Sequence, residues 1–435
     1  MTRRGWQWVW GLAAIAASAG PAAAGPQIRF VGIGAAAGFG MTRGAQSEAV
    51  PEAGGGRLPR ASGSTLSEGA ACTLGKDGFL EWEGSIGHFR AKRTSESLVP
   101  SGSTFSASTG TLPSGTIKID TAPSTLPPGA QGTAVVTAPG PSGTTVRIDS
   151  SSFSPQDPPG NRTTVFAYSP TAGGGSYIAM ALDGQSLTAA GFGLIYDGQG
   201  IVVAGLGGPG WTRKSTMLRD TTTSWSQSLR IGRRIDTSGP WTLTPRVGLE
   251  TLALDRRISQ QVSYRLDPFS DGATLPAITL GQTERLRSHY LALTLGAGAS
   301  RDLGDGWRLA VSLDAGRGRM HGTLSGWHNA TIEGIAAQSF ADPEQRYSTM
   351  TWTGRVTLGL SREIGSDTTL SIGLYEDYLS AVPTMVTELS PASGDITTGA
   401  DSVSVDGGGT ELYTRRVATR PQFGTGVSLS IVHRF

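Results

Sequence analysis

Disulfides, membrane-spanning helices and strong net charge are all missing from this chain. One cysteine, Cys72, stands among 435 residues, so no intramolecular disulfide can form. Beyond residue 24, no apolar run approaches the ~18 residues that a spanning helix needs. Charged residues make up 16% of the chain and the net charge is +2, which gives no support for a nucleic-acid partner. Lysine is scarce, with Lys76, Lys92, Lys118 and Lys214 alone, so basic charge is almost all arginine.

Signatures of chemistry are equally sparse. The five histidines are His88, His289, His321, His328 and His433, and none forms the His-x-Ser arrangement of membrane-embedded lipid hydrolases. His321-Gly322-Thr323 comes nearest. No His/Cys/Asp/Glu set has metal-ligand spacing. Gly-x-Gly strings such as Gly32-Ile33-Gly34 lead into no helix and reflect glycine content rather than a phosphate loop. The sequence therefore predicts no catalytic residue, no metal and no cofactor, and a chain that is not an enzyme.

What is abundant is glycine and proline, 63 and 24 residues. In a helix interior they cost ~1 and ~3 kcal/mol relative to alanine, so short turns and strands suit this composition better than long helices. The N-terminus reads as a secretory signal peptide over residues 1–24. Arg3 and Arg4 form a basic start, Trp8 to Ala17 a short apolar core, and Ala22-Ala23-Ala24 a small-residue cleavage site before Gly25. Gly5-Trp6-Gln7 after the arginines departs from the twin-arginine export pattern.

Residues 25–170 are rich in Gly, Ser, Thr and Pro with short β segments. They are expected to form a surface or plug region, with a barrel strand near 78–92. For residues 93 to about 160 a small β module, a surface loop and a flexible stalk all fit. Strand-like segments follow near 163–169, 176–182, 187–196 and 200–206, with turns at Asp183-Gly184 and Asp197-Gly198.

From residue 222 the pattern becomes regular. Trp307, Leu309, Val311, Leu313 and Ala315 alternate with Arg308, Ala310, Ser312, Asp314 and Gly316. Successive side chains of a strand point to opposite faces, so one face is apolar and the other polar or small. The same alternation marks strands at about 222–235, 240–254, 286–302, 349–363, 368–380 and 423–435. These are longer than the usual soluble strand of ~5–6 residues and match the ~9–11 that cross a membrane. Short turns at 236–239, 304–306 and 365–367 alternate with long connections near 255–285, 320–348 and 380–422, as in transmembrane barrels. Arg233, Arg301 and Arg362 recur at the short-turn end, where their heads reach lipid headgroups or water.

The chain closes on Val427-Ser428-Leu429-Ser430-Ile431-Val432-His433-Arg434-Phe435. This ending resembles the C-terminal assembly signal of Gram-negative outer-membrane β-barrel proteins, carried here by Val427, Leu429, Ile431 and Phe435, although His433 departs from the apolar pattern. The resemblance covers about 222–435, and its finer variants are porin-like and autotransporter-translocator-like barrels. It implies an all-β, antiparallel barrel of about 8–12 strands, ten favoured, in the cell outer membrane over residues 171–435. The implied partners are outer-membrane lipid, lipopolysaccharide and, during biogenesis, the barrel-assembly machinery. Arg230, Arg246, Glu250, Arg308, Asp314 and Arg355 then point into the lumen, where they either plug a small barrel or line the pore of a larger one. The expected role is surface interaction, structure or passive diffusion. The alternative is an autotransporter-like barrel that displays the N-terminal region.

Overall fold

The computed structural model describes residues 27–37, 61–100, 104–110, 116–120, 133–138, 144–149, 162–171, 174–183, 189–207, 212–266, 275–389, 396–398, 403–405 and 413–433. The expected signal peptide and Phe435 lie outside them. Every regular element among the described residues is a strand.

Ten strands make the wall: β1 (Gln27–Ala37), β2 (Ser62–Leu74), β3 (Gly78–Leu98), β4 (Thr212–Arg233), β5 (Trp241–Leu266), β6 (Ile278–Gly304), β7 (Trp307–Ile332), β8 (Gln345–Glu363), β9 (Thr368–Leu389) and β10 (Tyr413–His433). Each pairs antiparallel with its sequence neighbours. β10 also pairs β1, with Leu429 opposite Ile33 and Val427 opposite Ala35, so the ladder returns to its start. In the short-turn half the described strands leave no edge and satisfy the backbone without water, which is the condition for crossing lipid with strands. The ring's even strand number also fits bacterial barrels.

Tight turns close one end. Gly304, Asp305 and Gly306 take positive φ between β6 and β7, and Gly365 does so between β8 and β9. A left-handed backbone costs glycine little, so these turns need almost no chain. The long connections all lie at the other end.

The strands run far beyond lipid: β6 has 27 residues, against the ~9–11 that span a membrane. Near the short turns the outward face is apolar and exposed, with Leu243, Val247 and Leu249 on β5, Leu291, Leu293 and Leu295 on β6, and Val311 and Leu313 on β7. Val356 and Leu358 on β8, Ile372 and Leu374 on β9, and Leu429 and Ile431 on β10 continue the belt. Trp225, Trp352 and Phe423 are exposed at its upper border. Past that border the pattern inverts. Inward Leu254, Ile258, Val262, Tyr264 and Leu266 of β5 are buried, while outward Asp255, Arg257 and Arg265 are charged.

Two expectations are corrected here. First, the barrel does not begin at residue 171: β1, β2 and β3 all precede it. The strand expected at 78–92 is present and longer, whereas β1 ends in a run of Gly and Ala and β2 carries mainly Gly, Ala, Ser and Thr, so neither shows a long apolar alternation. Second, the segments between 162 and 206 are strands but not wall strands. With Thr104–Gly110 they form a separate five-stranded antiparallel sheet inserted between β3 and β4. Gly200–Leu206 is buried along its whole length, so it lacks the polar alternation that a wall strand shows. The Asp197-Gly198 turn is held by the Asp197 carboxylate, whose Oδ1 accepts from Gln199 N at 3.0 Å and Gly200 N at 2.9 Å. The residue 93–160 region contributes a three-stranded sheet, Thr116–Asp120, Thr133–Ala138 and Thr144–Asp149, which agrees with the small β module among the alternatives, and also Thr104–Gly110 of the five-stranded sheet.

The inserted sheet packs against the inner wall at the mouth. Phe105, Tyr177, Phe192 and Leu194 share one buried cluster with the inward Val262, Tyr264, Ile278, Leu280 and Ile332. Phe105 stacks on Tyr264 at 4.7 Å between ring centroids. Complete burial of such a side chain contributes roughly 1.5–3 kcal/mol, so this shared core holds the insertion in place.

Candidate functional site

The inward positions of the short-turn half surround a cavity of about 400 Å³. It is lined with charge that the strand parity brings together. On β4, Arg230 Nη1 donates to Glu83 Oε2 of β3 at 2.9 Å. On β8, Arg355 Nε donates to Asp377 Oδ1 of β9 at 2.5 Å and Nη2 donates to Oδ2 at 3.1 Å. Arg355 Nη1 also lies 4.0 Å from Glu83 Oε1, across the lumen from a strand that is not its neighbour. Glu250 sits within the electrostatic reach of both Arg355 and Arg230.

Arg246 of β5 pairs with Asp314 of β7, reaching over β6 to do so. Its Nε donates to Oδ1 at 2.7 Å and its Nη2 donates to Oδ2. Gly296 of β6 makes that reach feasible: a Cβ there would collide with Asp314 Oδ1 and crowd Arg246 Nε. The two-pronged geometry of guanidinium and carboxylate fixes orientation as well as charge.

Five of the six expected lumenal residues, Arg230, Arg246, Glu250, Asp314 and Arg355, therefore meet in one chamber. Arg308 does not. It shares the inward parity of Asp314 but stands at the exposed short-turn end. Sequence reasoning also missed Glu83 and Asp377, the acids that hold Arg230 and Arg355. Their signal was an acidic residue at an inward position of an alternating strand. The outward Val427, Leu429 and Ile431 are exposed in the apolar belt.

Above the chamber the lumen is filled. Leu254, Tyr290, Met320, Leu379 and Val382 form a buried layer, and Tyr290 Oη donates to the Ala381 carbonyl at 3.0 Å. Asp220 of β4 and Arg256 of β5 form a pair whose side chains are 2% and 4% exposed. Ile258, Leu286 and Leu324 meet Leu218, Tyr347 and Val417 from other parts of the wall. Beyond them Glu284 of β6, His328 of β7 and Asp342, just after the short strand Ala336–Ala341 that pairs with β7, place their ligand atoms within 4.8 Å of one another. These three come from separate segments, so linear spacing could not reveal them.

A closed antiparallel ring with an apolar outer belt and a polar lumenal chamber defines an integral outer-membrane β-barrel. No protein-family model and no curated protein matches the chain. Among solved structures, the E. coli outer membrane protease OmpT is 9% identical over 94% of this chain and 96% of its own, with a TM-score of 0.26. The P. putida toluene transporter TodX is 8% identical over 95% and 91%, with a TM-score of 0.19. The P pilus usher PapC translocation pore is 10% identical over 94% and 100%, with a TM-score of 0.10. The expectation that the chain is not an enzyme is corrected by the first of these. The E. coli outer membrane protease OmpT stands among the matched barrels.

Proposed function

We propose that this protein is a plugged outer-membrane barrel that acts through its outer half, as a surface-interaction and structural protein rather than a passive-diffusion pore. The observation that carries this reading is the meeting of side chains from opposite walls: Ile258, Leu286 and Leu324 form a buried cluster in the lumen, and the partly buried Leu218, Tyr347 and Val417 pack against it. The inserted sheet in the mouth adds a second obstruction. The strand order lends no support to an autotransporter-like passenger, because β1 to β3 lie in the wall.

Lipopolysaccharide is the proposed lipid partner. On the outer face, Arg257, Arg285 and Arg287 stand past the belt on β5 and β6, and Arg317 and Arg319 of β7 stand opposite Leu293 and Leu291 at its border. Such a cluster suits phosphorylated headgroups. The pairing of β10 with β1 supports a role for Val427, Leu429, Ile431 and Phe435 in recognition by the barrel-assembly machinery.

Conductance in a planar bilayer tests the plug. The refolded protein, folded by the criterion of heat-modifiable mobility, is expected to show no stable channel steps. Reproducible steps from the unmodified chain would replace the plugged reading with a pore.

A further inference from the structure

The cluster of Glu284, His328 and Asp342 has the composition and convergence of a metal site. Glu284 and His328 are inward on adjacent strands and almost wholly buried, 1% and 2% exposed. Asp342 is brought to them by the hairpin at the mouth: its backbone N donates to the Gly326 carbonyl at 2.9 Å. Gly326 lies directly opposite Glu284 in the β6–β7 ladder, so no side chain stands between the two carboxylates there. The His328 ring is fixed by stacking on Phe340, with centroids 4.9 Å apart, and its Nε2 lies 2.7 Å from Asp342 Oδ2.

A second observation points the same way. Gln282 is paired directly with His328 across the ladder, and its Nε2 donates to Glu284 Oε1 at 2.6 Å. Its amide oxygen is buried and accepts no hydrogen bond. A buried oxygen left in this condition is costly unless something electropositive faces it.

We propose that Glu284, His328 and Asp342, with the Gln282 amide oxygen as a further donor, bind one divalent first-row transition ion such as Zn²⁺. One imidazole with two carboxylates favours such an ion over Ca²⁺ or Mg²⁺, which prefer oxygen ligands throughout. Zinc holds nitrogen and oxygen ligands at ~2.0–2.2 Å, so tetrahedral ligands lie roughly 3.4 Å apart. The His328–Asp342 hydrogen bond opens slightly to admit the ion, and Glu284 closes in. The dication balances two carboxylates held in a buried setting and ties β6, β7 and the mouth hairpin together beneath the inserted sheet. Folding of the mouth and metal binding are then linked.

The test uses the full chain, refolded in detergent and stripped of metal, with Zn²⁺ alone as the probe. Titration calorimetry is expected to show one equivalent bound and a higher melting temperature with the ion. Binding is expected to weaken at least tenfold in Glu284→Gln and in His328→Ala, while His321→Ala, on the outer face, leaves it unchanged. Asp342→Asn, at the rim of the mouth, provides a variant that still folds if the two buried ones do not. Absence of saturable binding by the folded unmodified chain would overturn the proposal. So would retention of full affinity in a folded His328→Ala or Asp342→Asn barrel, because the ion would then lie elsewhere. Neither outcome depends on whether the barrel conducts.

Discussion

The same strands run through lipid and through water, and the two halves solve opposite problems. In the belt, outward Leu249, Leu293 and Leu313 face hydrocarbon, while inward Arg246, Glu250 and Asp314 face one another. In the outer half, inward Leu254, Ile258 and Val262 are buried, while outward Asp255, Arg257 and Arg285 face solvent or headgroups. The ladder is continuous across this change: β5 pairs β6 from Trp241 to Tyr264 with no register shift. The backbone is therefore indifferent to its surroundings, and side chains alone mark where the membrane ends. The outer half is an inside-out version of the inner half, with a core in the sense of a soluble protein.

If that contrast is right, the largest effect comes from removing the core of the outer half. Tyr264→Ala deletes the ring on which Phe105 stacks. Truncation of a buried aromatic costs ~3–5 kcal/mol, and here the loss falls on the contact between the insertion and the wall. Limited proteolysis is expected to cut residues 99–211 much faster in the variant, while the heat-modifiable barrel persists. Equal resistance would mean that the insertion is held by something other than this shared core.

The next effect separates lipid from water on one face. Leu295→Arg places a charge on the belt between Val247 and Ala315, where a lipid-facing arginine costs ~2–4 kcal/mol near the midplane. Gln261→Arg makes an outward change in the outer half, where a surface substitution alters stability by ~0.5 kcal/mol or less. Denaturant titrations in lipid vesicles are expected to show the first penalty and not the second. Equal penalties would place Gln261 in hydrocarbon and move the boundary outward.

The inversion also explains which parts of the fold were legible in sequence. Near the short turns, apolar-out alternation marked β4 to β10 and their ends within a few residues. The outer halves were taken for long connections because apolar residues switch from odd positions such as Val247 and Leu249 to even ones such as Leu254 and Ile258. Such a switch reads as a lost pattern. Hydroxyl pairs such as Ser259–Thr283 at 3.1 Å and Ser263–Thr279 at 2.9 Å join strands there, without any hydrophobic signal. In the chamber, parity sufficed to find Arg230, Arg246 and Arg355, but which acid each one meets depends on strand order. Arg246 pairs two strands away, a contact that Gly296 makes room for and that no local pattern foretells.

The last comparison sets two ion pairs of the outer half against each other, one on each face, and only the exposed one is expected to give a small effect. Arg285 Nε donates to Asp255 Oδ1 at 2.9 Å on the outer face, with side chains 28% and 40% exposed. Arg256 Nε donates to Asp220 Oδ1 at 3.1 Å on the inner face, almost fully buried. Solvent screens the outer pair, so Asp255→Asn is expected to cost under ~1 kcal/mol and to lose that effect in high salt. Asp220→Asn would leave Arg256 charged in a dry interior, where breaking a buried pair costs ~3–5 kcal/mol and salt does not reach. Denaturation midpoints at low and high salt distinguish the two. A salt-sensitive penalty for Asp220→Asn would mean that water enters the lumen at this level, which would also weaken the case for a plugged barrel.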